Sequence, residues 1–341
     1  MNPFIKCHLI ILFALFHSVL FGQGDSNPYD EVMESRIRVI CDNDFGGDPD
    51  GLFQLAHHLL SPTVEIKGII GSIQYDGGFY GYPGNVTHST NMVNELLSVM
   101  KMEGKYSVYN GANTALKDTI TPIESEGAKL IVSEAMREDT NKPLFVVCGA
   151  SLSTIANAYL MEPKIAKRLT LVWIGGTEYD GLAWPPPGGS YNWEYNTGID
   201  VKACQVIFNN SDISIWQVPR DAYRQALTSY TELLQKVKHQ GDTGKFLMER
   251  LEDLMKRANK SLGEAYVLGD NPLVLLTALQ SSWEVDPSSS KYAKRPAPRV
   301  NDSGVFEANP GGRTIRVYYD LDTRLMFEDF FAKLALSNIK G

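Results

Sequence analysis

The sequence predicts an open α/β fold, a mostly parallel β-sheet flanked by helices on both faces. Two observations predict it. Short apolar runs rich in β-branched residues alternate with longer amphipathic runs from residue 36 to residue 219. The short runs are apolar nearly throughout, as strands covered on both faces are.

The elements follow in order. "RIRVIC" (36–41) is a strand and "GLFQLAHHLLS" (51–61) a helix, then "VEIKGIIGS" (64–72) a strand and "NVTHSTNMVNELLSVM" (85–100) a helix. "KYSVY" (105–109) and "GAKLIVSEAMRE" (127–138) form the next such pair, then "PLFVVCG" (143–149) with "LSTIANAYLM" (152–161). "RLTLVWIGG" (168–176) and "ISIWQVP" (213–219) are further strands. Residues 221–260 read as helical and charged with a break at "QGDTG" (240–244), and residues 284–313, rich in Ser, Pro and Gly, as surface loop. In such folds ligands gather beyond the carboxyl ends of the strands. That rule marks Asp42 to Asp50, Gly149 to Thr154 and Gly175 to Thr177 as candidate site segments.

Residues 1–24 carry one lysine, an apolar core of about a dozen residues and then small and polar residues, the layout of a secretory signal. The apolar segment is short for a membrane span. A secreted or periplasmic protein is therefore expected, with cleavage near Gln23 to Asn27 and no membrane span after it. Cys7 precedes the apolar segment, which does not support lipidation. Residues 35–338 contain no linker, charge run or repeat, so they are expected to form a single catalytic domain.

A formal charge of -8 without a basic cluster argues against nucleic acid as a partner and suits small molecules or cations. Cys41, Cys148 and Cys204, an odd number in apolar surroundings, read as core residues and not as a disulfide framework. His57, His58, His88 and His239 have no zinc-site spacing.

The most informative stretch is "CDNDFGGDPDG", which sets Asp42, Asp44, Asp48 and Asp50 between the first strand and the first helix. Carboxylates this close repel one another, so they hold protons or bind a cation. With no Cys or His at hand, a hard cation such as Ca²⁺ with oxygen ligands is the economical answer. Gly46 and Gly47 let the chain turn back on itself. The plain alternative is a solvated acidic loop with Asp50 capping the helix. An EF-hand lacks its twelfth-position glutamate here. A Mg²⁺ phosphatase of the haloacid-dehalogenase type would place Thr or Val two residues after the second aspartate, where this chain has Gly46.

With its neighbouring motifs the chain resembles the inosine-uridine-type nucleoside hydrolases, whose first strand ends in DxDPGxDD. The resemblance runs through "GNVTHSTNMVNELL", "VYNGANTAL", "GASLSTIANAYLMEP", "WIGGTE", "NWEYNTGIDVKA" and "GDNPLVLLTAL", covering about residues 37–280. It implies a nucleoside-hydrolase-like fold, a Rossmann-like open α/β arrangement. It also implies Ca²⁺-dependent hydrolysis of the N-glycosidic bond of ribonucleosides, purine or pyrimidine, in salvage of external nucleosides. A metal-bound water would be activated by Asp44, itself a ligand. Asp48 would hold a ribose hydroxyl, Asp50 would chelate the ion, Ser153 would offer its carbonyl, and Asp270 would complete the ligands. Asn85, Glu194 and Asn196 match residues that hold the ribose hydroxyls, and Tyr195 stands where the family has phenylalanine. Family members are commonly homo-oligomers, and the altered loops leave that open for this chain.

Three departures bear on these roles. Pro49 separates two aspartates that are adjacent in the family, so the roles of Asp48 and Asp50, metal ligation included, are exchangeable. Gly269 precedes Asp270 where the family often has a histidine that protonates the leaving base. "DGLAWPPPGGSYNWEYN" (180–196) is a longer aromatic loop, in which Tyr191 and Trp193 suit packing or sugar stacking about equally. Tyr223, Arg224 and Tyr230 are candidate leaving-group contacts. A Ca²⁺-dependent sugar-binding protein on the same fold is the alternative from another functional class.

Overall fold

The structure, a computed structural model, describes residues 32–185, 193–284 and 288–339. The expected signal segment 1–24 and Tyr191 lie outside the described residues. The fold is that of the second of two units, Met1–Glu34 and Ser35–Gly341.

Strand β1 (Ile37–Asn43) leads into α1 (Asp50–Leu59), and β2 (Val64–Gly71) into α2 (Val86–Val99). Then come β3 (Val108–Asn110), α3 (Glu126–Ala135), β4 (Leu144–Cys148), α4 (Ser153–Met161) and β5 (Leu169–Ile174). After the loop that follows β5 come α5 (Tyr195–Ile199), α6 (Val201–Asn210), β6 (Ser214–Val218), α7 (Arg220–Tyr223), β7 (Leu227–Ser229), α8 (Tyr230–Lys236) and α9 (Gly241–Ala258). The chain closes with β8 (Ala265–Val267), α10 (Pro272–Leu275), β9 (Lys291–Pro296), β10 (Arg299–Val300), β11 (Phe306–Glu307), β12 (Thr314–Asp320) and α11 (Thr323–Ile339).

Eight strands form one sheet in the order β3-β2-β1-β4-β5-β6-β12-β9. All neighbours run parallel except β12 and β9, which are antiparallel. Side chains of a strand point alternately to the two faces, and both faces are buried here. Val39 and Cys41 enter one core with α1, α2 and α11, while Ile40 enters the other with α3, α4 and α6. Period-two alternation is therefore invisible in β4, where each face demands an apolar residue, while the half-buried start of β2 alternates Val64 and Ile66 with Glu65 and Lys67. Cys41, Cys148 and Cys204 are buried free thiols in these cores, as expected.

The strand order reverses between β1 and β4, since β2 lies outside β1 while β5 lies outside β4. Such a switch point opens a crevice at the strands' carboxyl ends. The aspartate cluster follows β1, and the Gly149–Thr154 segment follows β4; the Gly149 N–H donates to the Asp42 carbonyl at 3.1 Å. Trp173, fully buried on β5, fixes that second segment by donating its indole N–H to the Ala150 carbonyl at 2.9 Å.

Two expectations need correction. Residues 284–313 are not only loop: β9 pairs with β12 as the edge strand of the main sheet. Its exposure alternates weakly, and Lys291, Lys294 and Arg295 occupy it, as charged residues do on sheet edges. Those charges hid it from a reading based on apolar runs. Residues 221–260 are not helical throughout, because the short strand β7 pairs with β8 between α7 and α8. The break expected at 240–244 falls earlier, at Val237–Gln240, and residues 241–244 open α9. Among the described residues no helix is long and apolar enough to cross a membrane.

Candidate active site

The aspartate cluster is not a solvated loop. Asp42 is fully buried, and Asp44, Asp48 and Asp50 are partly buried. Asp50 is the first residue of α1 and not its cap; the cap position is Pro49, which offers no side-chain bond. Instead Asp48 Oδ1 accepts the Asp50 N–H at 3.2 Å and Asp50 Oδ1 accepts the Gly51 N–H at 2.9 Å. Gly46 and Gly47 serve the turn by absence of bulk, since both keep ordinary negative φ. A Cβ on Gly47 would stand 1.6 Å from Gln74 Nε2, and one on Gly46 would stand 2.5 Å from the His88 ring.

Asp270, 3% exposed, arrives from the far end of the chain. Asn271, not Asp270, occupies the N-cap position of α10, and its side chain makes no capping bond, so Asp270 is not spent on capping. Asn43 Nδ2 donates to Asp270 Oδ2 at 2.9 Å, and Asn43 Oδ1 accepts the Asp44 N–H at 2.8 Å. Gln74 Nε2 reaches the Asp44 carbonyl at 3.4 Å, and the Tyr266 hydroxyl donates to Asp48 Oδ1 at 2.7 Å.

Burial raises the pKa of all four carboxyls. The charge of Asp270 adds to the rise at Asp44, and those of Asp270, Asp48 and Asp44 add to it at Asp50. Asp270 itself is pushed up to about 7. The groups acting on these carboxyls are one another and neutral donors, with no lysine or arginine of the described residues among them. Asp42, beneath the cluster, is likewise raised to about 7 by burial, with Ser72 donating to its Oδ1.

Among the described residues no three His, Cys, Asp or Glu side chains are drawn together as a closed metal-binding set. The donor chemistry nevertheless fits a hard cation: every group is an oxygen, the charge is wholly negative, and mutual repulsion is what such an ion would relieve.

The remaining expected residues are Ser153, Glu194, Asn196, Tyr195 and Asn85. Ser153 opens α4; its hydroxyl donates to Asp200 at 2.7 Å and its carbonyl accepts from Asn157 at 2.8 Å. Glu194 is buried and caps α5, accepting from Gly176, Asn196 and Thr197 N–H groups, and the Tyr223 hydroxyl lies 3.3 Å from its Oε1. Burial raises its pKa. Asn196 spends its NH₂ on the Gly149 and Ile174 carbonyls, at 3.0 and 2.8 Å, which joins the ends of β4 and β5. Tyr195 packs edge-on against Tyr75 at 5.0 Å between ring centres, and burial, then the charges of Asp44 and Asp48, raise its pKa. Asn85 is exposed and caps α2, its Oδ1 accepting the His88 N–H at 2.9 Å.

Of the three leaving-group candidates only Tyr223 stands at the cluster. A Cβ on Gly269 would lie 3.5 Å from its ring and 3.3 Å from Asp50 Oδ2. Arg224 is exposed, and Tyr230 donates to Glu252 on α9 at 2.9 Å. Trp193 is exposed with its ring 6.2 Å from that of Tyr195. Sequence reasoning missed Asn43, Gln74 and Tyr266. For Asn43 a signal was present: a polar residue flanked by two aspartates at a buried strand end must find partners.

The structure is similar to that of a purine-preferring ribonucleoside hydrolase from Gardnerella vaginalis, with TM-score 0.68 and 17% identity over 89% of this chain and 100% of that one. An inosine-uridine preferring nucleoside hydrolase from Bacillus anthracis gives TM-score 0.61 and 16% identity over 88% and 99%. A nucleoside hydrolase-related hypothetical protein from Saccharophagus degradans, associated with carbohydrate metabolism, gives 0.60 and 17% over 89% and 72%. At these identities the likeness shows the fold. No curated protein sequence matches the chain. Residues 39–323, which hold the switch-point crevice and all four clustered aspartates, match the inosine-uridine preferring nucleoside hydrolases, and the chain belongs to that family of hydrolases acting on N-glycosyl bonds.

Proposed function

We propose that the protein is a Ca²⁺-dependent hydrolase of ribonucleosides, exported by its N-terminal segment and acting on external nucleosides. The observation that carries the reading is the convergence of Asp44, Asp48, Asp50 and Asp270 at the switch point with no cationic side chain among the described residues to neutralise them. Asp44, Asp50 and Asp270, with the Ser153 carbonyl, would hold the ion, and Asp48 is the alternative ligand to Asp50. Bound there, Ca²⁺ supplies positive charge that orients water and ribose hydroxyls and makes the water easier to deprotonate.

The protein's own groups do the rest. Asp44, whose carboxyl is pushed well above the usual carboxylate range by burial and then by the charge of Asp270, is a stronger base than a surface aspartate and is suited to take a proton from water. Asp48 has one oxygen engaged by Tyr266 and the Asp50 N–H, which leaves the other to accept from a ribose hydroxyl. Asn196 has its NH₂ occupied and its Oδ1 available as acceptor. Asn85 has its oxygen occupied and its NH₂ available as donor. Glu194, met by five donors, holds α5 and so places Tyr195 and Asn196. As the bond to the base breaks, positive charge grows on the sugar, and the surrounding carboxylates stabilise it.

The test is ribose release from purine and pyrimidine nucleosides with Ca²⁺ and with chelator. Chelator-sensitive release supports the reading. Binding of ribosides without release would convert it to a sugar-binding protein.

A further inference from the structure

A line of buried side chains runs away from Asp270 into the core on the α1 side of the sheet. Asn43 Nδ2 donates to Asp270 Oδ2 at 2.9 Å and to Gln54 Oε1 at 3.3 Å, while Asn43 Oδ1 accepts the Asp44 N–H at 2.8 Å. With its oxygen turned to Asn43, Gln54 presents its NH₂ to His58 Nδ1. A ring nitrogen that accepts carries no proton, so the neutral imidazole of His58 bears its proton on Nε2. That N–H donates to Thr277 Oγ1 at 3.0 Å, and the Thr277 hydroxyl donates to the Leu273 carbonyl at 2.6 Å. Burial keeps the His58 ring neutral, its pKa far below the usual histidine value.

Asn43, Gln54, His58 and Thr277 are each at most 2% exposed. Every donor in the line meets an acceptor, and the sense is fixed at both ends, by the Asp44 N–H and by the Leu273 carbonyl. Turning over Asn43 would set its NH₂ against the Asp44 N–H and its oxygen against those of Asp270 and Gln54. Turning over Gln54 would set N–H against N–H at Asn43 and oxygen against the His58 Nδ1 lone pair, in a buried setting where unmet groups are costly. Room for the hub is made by two residues without side chains: a Cβ on Gly149 would stand 2.3 Å from Asn43 Nδ2, and one on Gly51 would stand 3.0 Å away.

We propose that Asn43 is a positioning residue that sets Asp44 and Asp270 relative to one another, and that Gln54 and His58 hold its amide in the one orientation that does so. The inference rests on the reading of Asp44 and Asp270 as Ca²⁺ ligands. Asn43 touches both of these residues, one through its backbone and the other through its carboxylate. It occupies one oxygen of Asp270 and leaves the other for the ion. Partners of this kind, standing behind the ligands, typically govern affinity by about 10- to 100-fold.

The experiment uses the full chain, with Ca²⁺ alone as the probe, in wild type, Gln54→Met and His58→Phe. Calorimetric titration is expected to show the Ca²⁺ dissociation constant raised about 10- to 100-fold in both variants. The KM for a nucleoside substrate at saturating Ca²⁺ should stay at the wild-type value. A second readout needs no metal. In chelated, ¹⁵N-labelled protein the Asn43 side-chain NH₂ should exchange slowly with solvent in wild type and faster in both variants.

Wild-type Ca²⁺ affinity and wild-type exchange in Gln54→Met overturn the proposal. That variant, close to glutamine in shape, decides alone where His58→Phe does not fold. Should wild type bind no Ca²⁺, the metal reading fails by itself, and the exchange rates still decide the role of Asn43: slow in wild type and fast in Gln54→Met upholds it, equal rates overturn it.

Discussion

The Tyr266 hydroxyl donates to Asp48 Oδ1 at 2.7 Å, tying a residue of β8 to the turn that follows β1. Burial and the charges of Asp48 and Asp50 push the phenol pKa far up, so Tyr266 remains a donor at any working pH. It steadies the Asp48 carboxylate against the burial that would protonate it. Tyr266→Phe removes a charge-assisted hydrogen bond, about 1.5–3 kcal/mol. The expected result is a loss of about tenfold or more in kcat/KM for nucleoside hydrolysis. Unchanged kinetics would show that Asp48 does not depend on this bond.

Asp44→Asn separates function from stability. Loss of the base is expected to lower kcat by about 10²- to 10⁴-fold. The same change removes one of four mutually repelling carboxylates, so the chelated variant is expected to melt higher than chelated wild type, by roughly 2 °C or more. Added Ca²⁺ should raise the melting temperature of wild type far more than that of the variant. At a hundred times its dissociation constant a ligand adds about 2.7 kcal/mol. A variant that melts lower in chelator would show that the carboxylates do not repel as their burial implies.

Gly269→His restores the histidine that the family often carries and is nevertheless expected to lower activity. The first side-chain atom alone would lie 3.3 Å from Asp50 Oδ2 and 3.5 Å from the Tyr223 ring, so an imidazole has to displace one of them. Weaker Ca²⁺ binding should accompany the loss. Faster release of purines by this variant would mean that the crevice yields more readily than its packing indicates.

Burial holds the His57 pKa down at about 4, although Asp329 accepts at 2.8 Å from its Nε2 and Lys333 stands behind Asp329. The neutral ring is therefore favoured in the folded chain. As pH falls below about 6.5 the unfolded chain binds a proton that the folded chain refuses, so stability falls until about pH 4 and then levels. For this residue the loss is about 3 kcal/mol across the window. Melting curves of wild type and His57→Leu between pH 7.5 and 4.5 should show the steeper decline in wild type. Parallel curves would sink the assignment.

The parallel sheet was legible because strands buried on both faces must be apolar, and β4, β5 apart from Thr170 and the second half of β2 obey that demand, while Glu65 and Lys67 stand in the half-buried first half of β2. Charged β9 and three-residue β7 have no such signature, since an edge strand and a short antiparallel pair can be built from almost any sequence. At the site, Asp44, Asp48 and Asp50 declared themselves by their density. The resemblance rather than any local pattern pointed to Asp270. Tyr266 remained hidden because a hydrogen bond between residues distant in the chain leaves no mark on either segment alone, and Asn43, marked only by its place between two aspartates at a strand end, gave no sign of which partners it meets. Glu194 showed as a site residue in the sequence, while its service as the cap of α5 emerges only from where Gly176 and Thr197 lie.

Asn43 and Asp270 meet across 227 residues of chain. Closing so long a loop costs entropy that only a largely assembled fold repays. A growing or refolding chain is therefore expected to pass its folding barrier before the two halves of the crevice come together, so an ion that needs both halves should not speed that passage. Its effect falls on the reverse step. Added Ca²⁺ is expected to leave the refolding rate unchanged and to slow unfolding, which makes the metal a lock on the finished molecule and no part of its nucleus.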